Sequence, residues 1–142
     1  MANRKTIKVL TEKQFTSLND ELAEFVKDKT GEGLVHIFVQ HTTCGIRIIE
    51  NEILLLADIN NYLAEIAPKD KLYQHDKVEI RDVPVNERIN GFSHIRQLHF
   101  PTSELIPVQD GKLMLGKWQT VFLVELDPIR DRNIVFTYQP IS

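Results

Sequence analysis

The chain has 142 residues, 42% hydrophobic and 26% charged, which suits one soluble domain with a sizeable core. A net charge of -3 argues against broad nucleic-acid binding, which wants a basic face, and leaves room for a local cationic pocket. The single cysteine, Cys44, rules out an internal disulfide and suits a reducing compartment.

Met1 to Thr6 leads into only a short apolar stretch, unlike a signal peptide. The longest apolar segment, around Ile53 to Leu56, is too short and interrupted to span a bilayer. A cytoplasmic protein with no membrane partner is the expectation.

Taken in order, Thr6 to Leu10 reads as an opening strand. Thr11-Glu12-Lys13-Gln14 has the form of a capping box, and Phe15, Leu18, Leu22, Phe25 and Val26 recur at helical spacing behind it. Lys27 and Lys29 suit the negative end of that helix, and Gly31 suits its exit. Leu34 to Gln40 is apolar on both faces apart from His36, as in a strand buried on both sides.

Gln40-His41-Thr42-Thr43-Cys44-Gly45 then bends the chain, and Ile46 to Ile49 continues as a strand. Asn51 reads as the cap of a helix whose buried face uses Leu55, Ile59, Tyr62, Leu63 and Ile66, and Pro68 ends it. Lys69 to Glu87 is polar and mostly loop, with a short strand expected at Val78 to Ile80; a loop of this length points to function. Asn90 reads as the cap of a short helix carrying His94, with Ile95 and Leu98 inward.

The last third is β. Glu104 to Val108 and Lys112 to Leu115 flank Asp110-Gly111, a strong hairpin-turn pair. Trp118 to Asp127 alternates as a strand, Asp127-Pro128-Ile129-Arg130 is a turn, and Ile134 to Tyr138 closes the fold. Residues 1–142 are expected to form a single α+β domain, a mainly antiparallel β-sheet packed with helices.

Polar residues between two buried strands need partners, so the bend at His41 suggests a site. His41 suits a general acid/base, a phosphate donor, a metal ligand, or a histidine simply hydrogen-bonded at a strand end. His41, His75 and His94 suit a three-nitrogen metal site if they converge, although their spacing matches no self-contained zinc motif. Glu125 reads as a base, a partner for a histidine, or half of an ion pair with Arg130 or Arg132. Trp118 suits either a pocket wall or the core. Cys44 reads as a small buried hydrophobe rather than a nucleophile.

Several segments together carry a resemblance. They are His41-Thr42-Thr43 with Glu50-Asn51 and Asp58; Tyr73-Gln74-His75-Asp76; Ser93-His94-Ile95; Ile106-Pro107-Val108 with Asp110-Gly111; Gly116-Lys117-Trp118-Gln119; and Glu125 with Arg132. In their order and spacing they resemble the YjbQ family, also called the secondary thiamine-phosphate synthase family. The resemblance implies a YjbQ-like homotrimer with histidine-containing pockets. It also implies a weak or accessory thiamine-phosphate synthase, joining an aminopyrimidine diphosphate to a thiazole phosphate with release of diphosphate.

On that resemblance, His41, His75, His94 and Glu125 are the candidate catalytic residues. Thr42, Thr43, Lys117, Trp118 and Gln119 are candidates for binding a small phosphorylated metabolite. His41, His75 and His94 are candidate ligands for a divalent metal, zinc or magnesium. Cys44, Phe92, Pro101 and Lys117 depart from the family's usual pattern, and Phe92 removes one polar ligand. The rival readings are a non-catalytic trimeric binding protein and a metal-dependent hydrolase with a cation-activated water.

Overall fold

A computed structural model describes residues 3–141, so Met1, Ala2 and Ser142 of the expected domain lie outside the described residues. The elements in chain order are β1 (Arg4–Thr11), β2 (Phe15–Ser17), α1 (Asn19–Val26), β3 (Glu32–Val39), β4 (Cys44–Ile49) and α2 (Ile53–Ile66). Two single 3₁₀ turns follow, Gln74–Asp76 and Val78–Ile80. The chain then runs through α3 (Gly91–Gln97), β5 (Ser103–Gln109), β6 (Lys112–Leu113), β7 (Thr120–Glu125) and β8 (Arg130–Pro140).

The strands form two sheets, one ordered β1-β8-β3-β5-β6 and the other β2-β7-β4, and every pair is antiparallel. The main core lies between the sheets. Val35, Ile37 and Val39 of β3, Ile134 and Phe136 of β8, Ile46 of β4 and Val121 and Leu123 of β7 meet there, with Leu18 and with Leu22 and Val26 of α1. A second core forms where Leu63, with Leu56, Ile59 and Ile66 of α2, covers Phe122 and Val124 on the other face of β7. The layers therefore run sheet, sheet, helix, and the α+β expectation holds.

Local readings fail where a tertiary partner outcompetes a local motif. The capping box does not form: the Thr11 hydroxyl bonds the Glu125 carboxylate and the Arg130 carbonyl. Phe15 to Ser17 instead pair with Phe122 to Val124 as a strand, and the helix begins only at Asn19. Glu52, not Asn51, caps α2, its carboxylate accepting from the Leu54 and Leu55 amides at 2.6 and 3.0 Å. Tyr62 of that helix is exposed.

β3 is buried on one face only, with Phe38 exposed on the other. Val78 to Ile80 is a 3₁₀ turn rather than a strand. In α3, Gly91, Phe92 and Ser93 are the buried residues, whereas Ile95, and Leu98 just past the helix end, are exposed. The Asp110-Gly111 turn forms as read, with φ of 46° and 76°, the left-handed pair that matches strand twist.

Candidate functional site

The bend after β3 is held by a clamp on β8. Gln40 N–H donates to the Asn133 carbonyl at 3.2 Å, and Asn133 N–H donates to His41 Nε2 at 2.8 Å. The second bond requires His41 Nε2 to be unprotonated. Burial pushes the His41 pKa below its ordinary value, and Arg132 and Arg130 reinforce this. Of the alternatives open at His41, a histidine satisfied at a strand end is what the structure displays.

Behind the bend lies a buried ion pair. Arg132 Nε and Nη2 donate to Glu125 Oε1 and Oε2 at 2.7 and 2.5 Å, and both side chains are about 1% exposed. Burial raises the Glu125 pKa, but bonds from Arg132, Thr11 and the Asp127 amide outweigh it and hold the group below its ordinary value. Arg132 Nη2 also donates to the Thr43 hydroxyl oxygen at 2.8 Å and to the Thr43 carbonyl at 3.2 Å. The hydroxyl thus accepts from the guanidinium and keeps its own proton to donate.

Thr42 and Thr43 form one wall of a cavity of about 290 Å³. His75 and His94 form another, their ring centroids 4.4 Å apart. Arg81, Arg88 and Arg130 close it, with Glu87 and Asn90 at its edge. The polar loop is folded back to make this pocket: Asp76 Oδ1 accepts from the Gly91 amide at 2.9 Å, and Arg81 Nη1 donates to the His75 carbonyl at 2.8 Å. Asp127 organises the other side, its Oδ2 accepting from Asn90 at 2.8 Å and Arg130 at 3.0 Å and forming an ion pair with Arg88 Nε at 3.2 Å.

Three guanidiniums therefore stand against two carboxylates, Glu87 and Asp127, before either imidazole is protonated. Burial lowers the His94 pKa, with His75 adding to the effect. The chemistry of these donors is that of an anion site.

The expected residues divide accordingly. His75, His94, Thr42 and Thr43 come together; His41 does not line the cavity; Glu125 is withdrawn behind Thr43. Lys117, Trp118 and Gln119 sit at the opposite end of β7, about 17 Å away along six strand residues. There Lys117 Nζ lies 4.9 Å from the Trp118 ring, and Gln119 Oε1 accepts from the Gly116 amide at 2.8 Å. Cys44 is buried, and burial pushes its pKa up to about 12, so no thiolate is available near neutrality.

The donor set of this chain does not fit the implied divalent metal. Among the described residues no three His, Cys, Asp or Glu side chains are arranged to hold one. The two imidazoles that do meet face guanidiniums, which repel a cation. Sequence reading missed Arg81 and Arg88 and treated Asn90 and Arg130 as structural. The clue was available in the long polar loop, which carries Arg81 together with His75 and ends one residue before Arg88.

Fold and site together define a small α+β domain with a cationic pocket at one end of its strands. The chain belongs to the family described as UPF0047 protein YjbQ-like, which matches residues 4–140. It is 29% identical to a UPF0047 protein of Archaeoglobus fulgidus over 92% of this chain and 94% of that one. A UPF0047 protein of Methanothermobacter thermautotrophicus is 36% identical over 72% of this chain and 65% of its own length.

Among solved structures, a YbjQ-like protein of unknown function from Sulfolobus solfataricus P2 matches with a TM-score of 0.81 and 29% identity, covering 96% of each chain. A hypothetical protein from Aeropyrum pernix K1 matches with a TM-score of 0.84 and 26% identity, over 99% of this chain and 100% of that one. Among the described residues no helix is long and apolar enough to cross a membrane.

Proposed function

We propose that the pocket between Thr42–Thr43 and the His75–His94 pair binds the diphosphate of a small metabolite, and that the chain is a thiamine-phosphate synthase-like transferase. The observation that carries this reading is the convergence of Arg81, Arg88 and Arg130 with two imidazoles and two threonines on one cavity. In the reaction, the thiazole nitrogen attacks the methylene carbon of the aminopyrimidine substrate. The carbon–oxygen bond breaks, and its electron pair leaves with diphosphate. No proton has to move to or from the protein. The residues' work is to neutralise charge gathering on the leaving group, with the Thr43 hydroxyl and Asn90 amide as fixed donors.

Lys117, Trp118 and Gln119 of one chain are too distant to share that work with Thr42 and Thr43. In the implied homotrimer they are available to a neighbouring subunit. The same donors also support the rival reading, a binding protein that holds a phosphorylated metabolite without turnover.

The test is calorimetric titration of inorganic diphosphate, beside an assay of thiamine phosphate formation from the two substrates. Wild type binds diphosphate and forms product, and EDTA leaves the binding unchanged. His94→Ala and Arg88→Gln each weaken binding about tenfold, the worth of one charge-assisted bond. Binding without product favours the rival reading, and no binding removes both.

A further inference from the structure

We propose that a second anion site, for the phosphate group of a small metabolite, lies across α3 from the first pocket, between Lys69 and Arg96 beside the Phe92 ring. Asn90 and His94, four residues apart, border the first pocket. Phe92 and Arg96, also four apart, share a different face and line a separate cavity of about 240 Å³ with Gln14, Asn60 and Lys69. The wall between the cavities is sealed by buried bonds, from the Ser93 hydroxyl to the Leu126 carbonyl at 2.5 Å and from the Asn90 amide to Asp127 at 2.8 Å.

Arg96 is aimed rather than free. Its Nε donates to the Ala67 carbonyl at 3.0 Å at the end of α2, and its guanidinium carbon lies 4.9 Å from the Phe92 ring centroid. Lys69 Nζ lies 5.7 Å from the same centroid. Among the described residues neither cation has a carboxylate within ion-pair distance. The carboxylate lining the cavity, Glu125, is committed to Arg132 and Thr11.

Two cations held beside one ring without counter-charge match a phosphate dianion better than a neutral ligand, and the guanidinium fork supplies paired donors. The Gln14 and Asn60 side-chain amides, which bond no other described residue, read the remaining oxygens or the organic part.

The experiment is titration of the full-length, ¹⁵N-labelled chain with inorganic phosphate at constant ionic strength, followed by NMR. The Gln14 and Asn60 side-chain amide signals shift saturably, and the double variant Lys69→Gln/Arg96→Gln weakens that response about tenfold. The His75 and His94 imidazole responses are unaltered in the variant. If the double variant fails to fold, the exposed Lys69→Gln change alone serves, with an expected weakening of about threefold. Gln14 and Asn60 signals that ignore phosphate, or a folded variant that responds like wild type, overturn the second site. With inorganic diphosphate titrated in parallel, silence at His75 and His94 toward diphosphate with a retained phosphate response at Gln14 and Asn60 sinks the first pocket and upholds this one.

Discussion

The Glu125 carboxylate is committed to three protein partners, Arg132, Thr11 and the Asp127 amide. Its strand position and its pairing with Arg132 were both readable, but the further bond from Arg132 to Thr43, 82 positions from Glu125 in sequence, has no local signature. Glu125 holds Arg132, which bonds the Thr43 hydroxyl at the pocket wall, so under the proposed function Glu125 is a positioning residue. Glu125→Gln leaves Arg132 as an uncompensated buried charge and is expected to cost about 3 kcal/mol in denaturant unfolding. The histidines set the acid limit. His41 and His94 have folded pKa values below their ordinary 6.5, so below that pH the unfolded chain binds protons that the folded chain refuses. Stability from this source is full above about pH 6.5 and is lost as pH falls through the folded values. The depressed Glu125 value adds a further loss below about pH 4.5. Denaturant midpoints measured from pH 8 to pH 4 should fall in that order, and a midpoint rising on acidification from 6.5 would contradict the assignment.

At the scale of elements, motifs complete within a few residues were legible, and motifs with a distant competitor were not. The Asp110-Gly111 hairpin carries its own backbone requirement, and it forms. Thr11-Glu12-Lys13-Gln14 has a capping box's composition, yet Thr11 and the Phe15 strand are claimed by β7 and its Glu125. The 69–87 segment stands out by polarity and length, but its shape depends on a contact outside it. Asp76 accepts from the Gly91 amide, and a Cβ at Gly91 would meet Tyr73 Cβ at 2.6 Å and Asp76 Oδ1 at 2.9 Å. That close approach is what sets His75 against His94. Gly91→Ala should therefore separate the imidazoles, weakening diphosphate binding about tenfold while costing about 1–2 kcal/mol of stability. Calorimetry and chemical denaturation on the same preparation read the two effects. Equal binding in a folded variant would show that the histidine pair does not depend on this packing.

At the scale of the molecule, the layering leaves one surface unfinished. The three-stranded sheet is covered by α2, but the outer face of the five-stranded sheet carries no helix. On that face His36 of β3 stands opposite Leu105 of β5, and Phe38 opposite Val135 of β8. Leu105 is 56% exposed and Phe38 40%. Apolar side chains on a sheet face are ordinarily buried against another layer, and a homotrimer of the kind the family resemblance implies would supply one in the form of a second copy. The near-continuous apolar run of β3 reads as a strand buried on both sides, but only one side is covered within the chain; burial between subunits and burial within one would leave the same pattern of residues. If subunits meet here, Phe38→Glu with Leu105→Glu places like charges in the contact and desolvates them, a change the free monomer tolerates because both side chains already reach solvent. Sedimentation equilibrium should then give a trimer mass for wild type and a monomer mass for the double variant, with unchanged far-ultraviolet circular dichroism. A variant that stays trimeric would move the subunit contact to another face, and a wild type that sediments as a monomer would remove it.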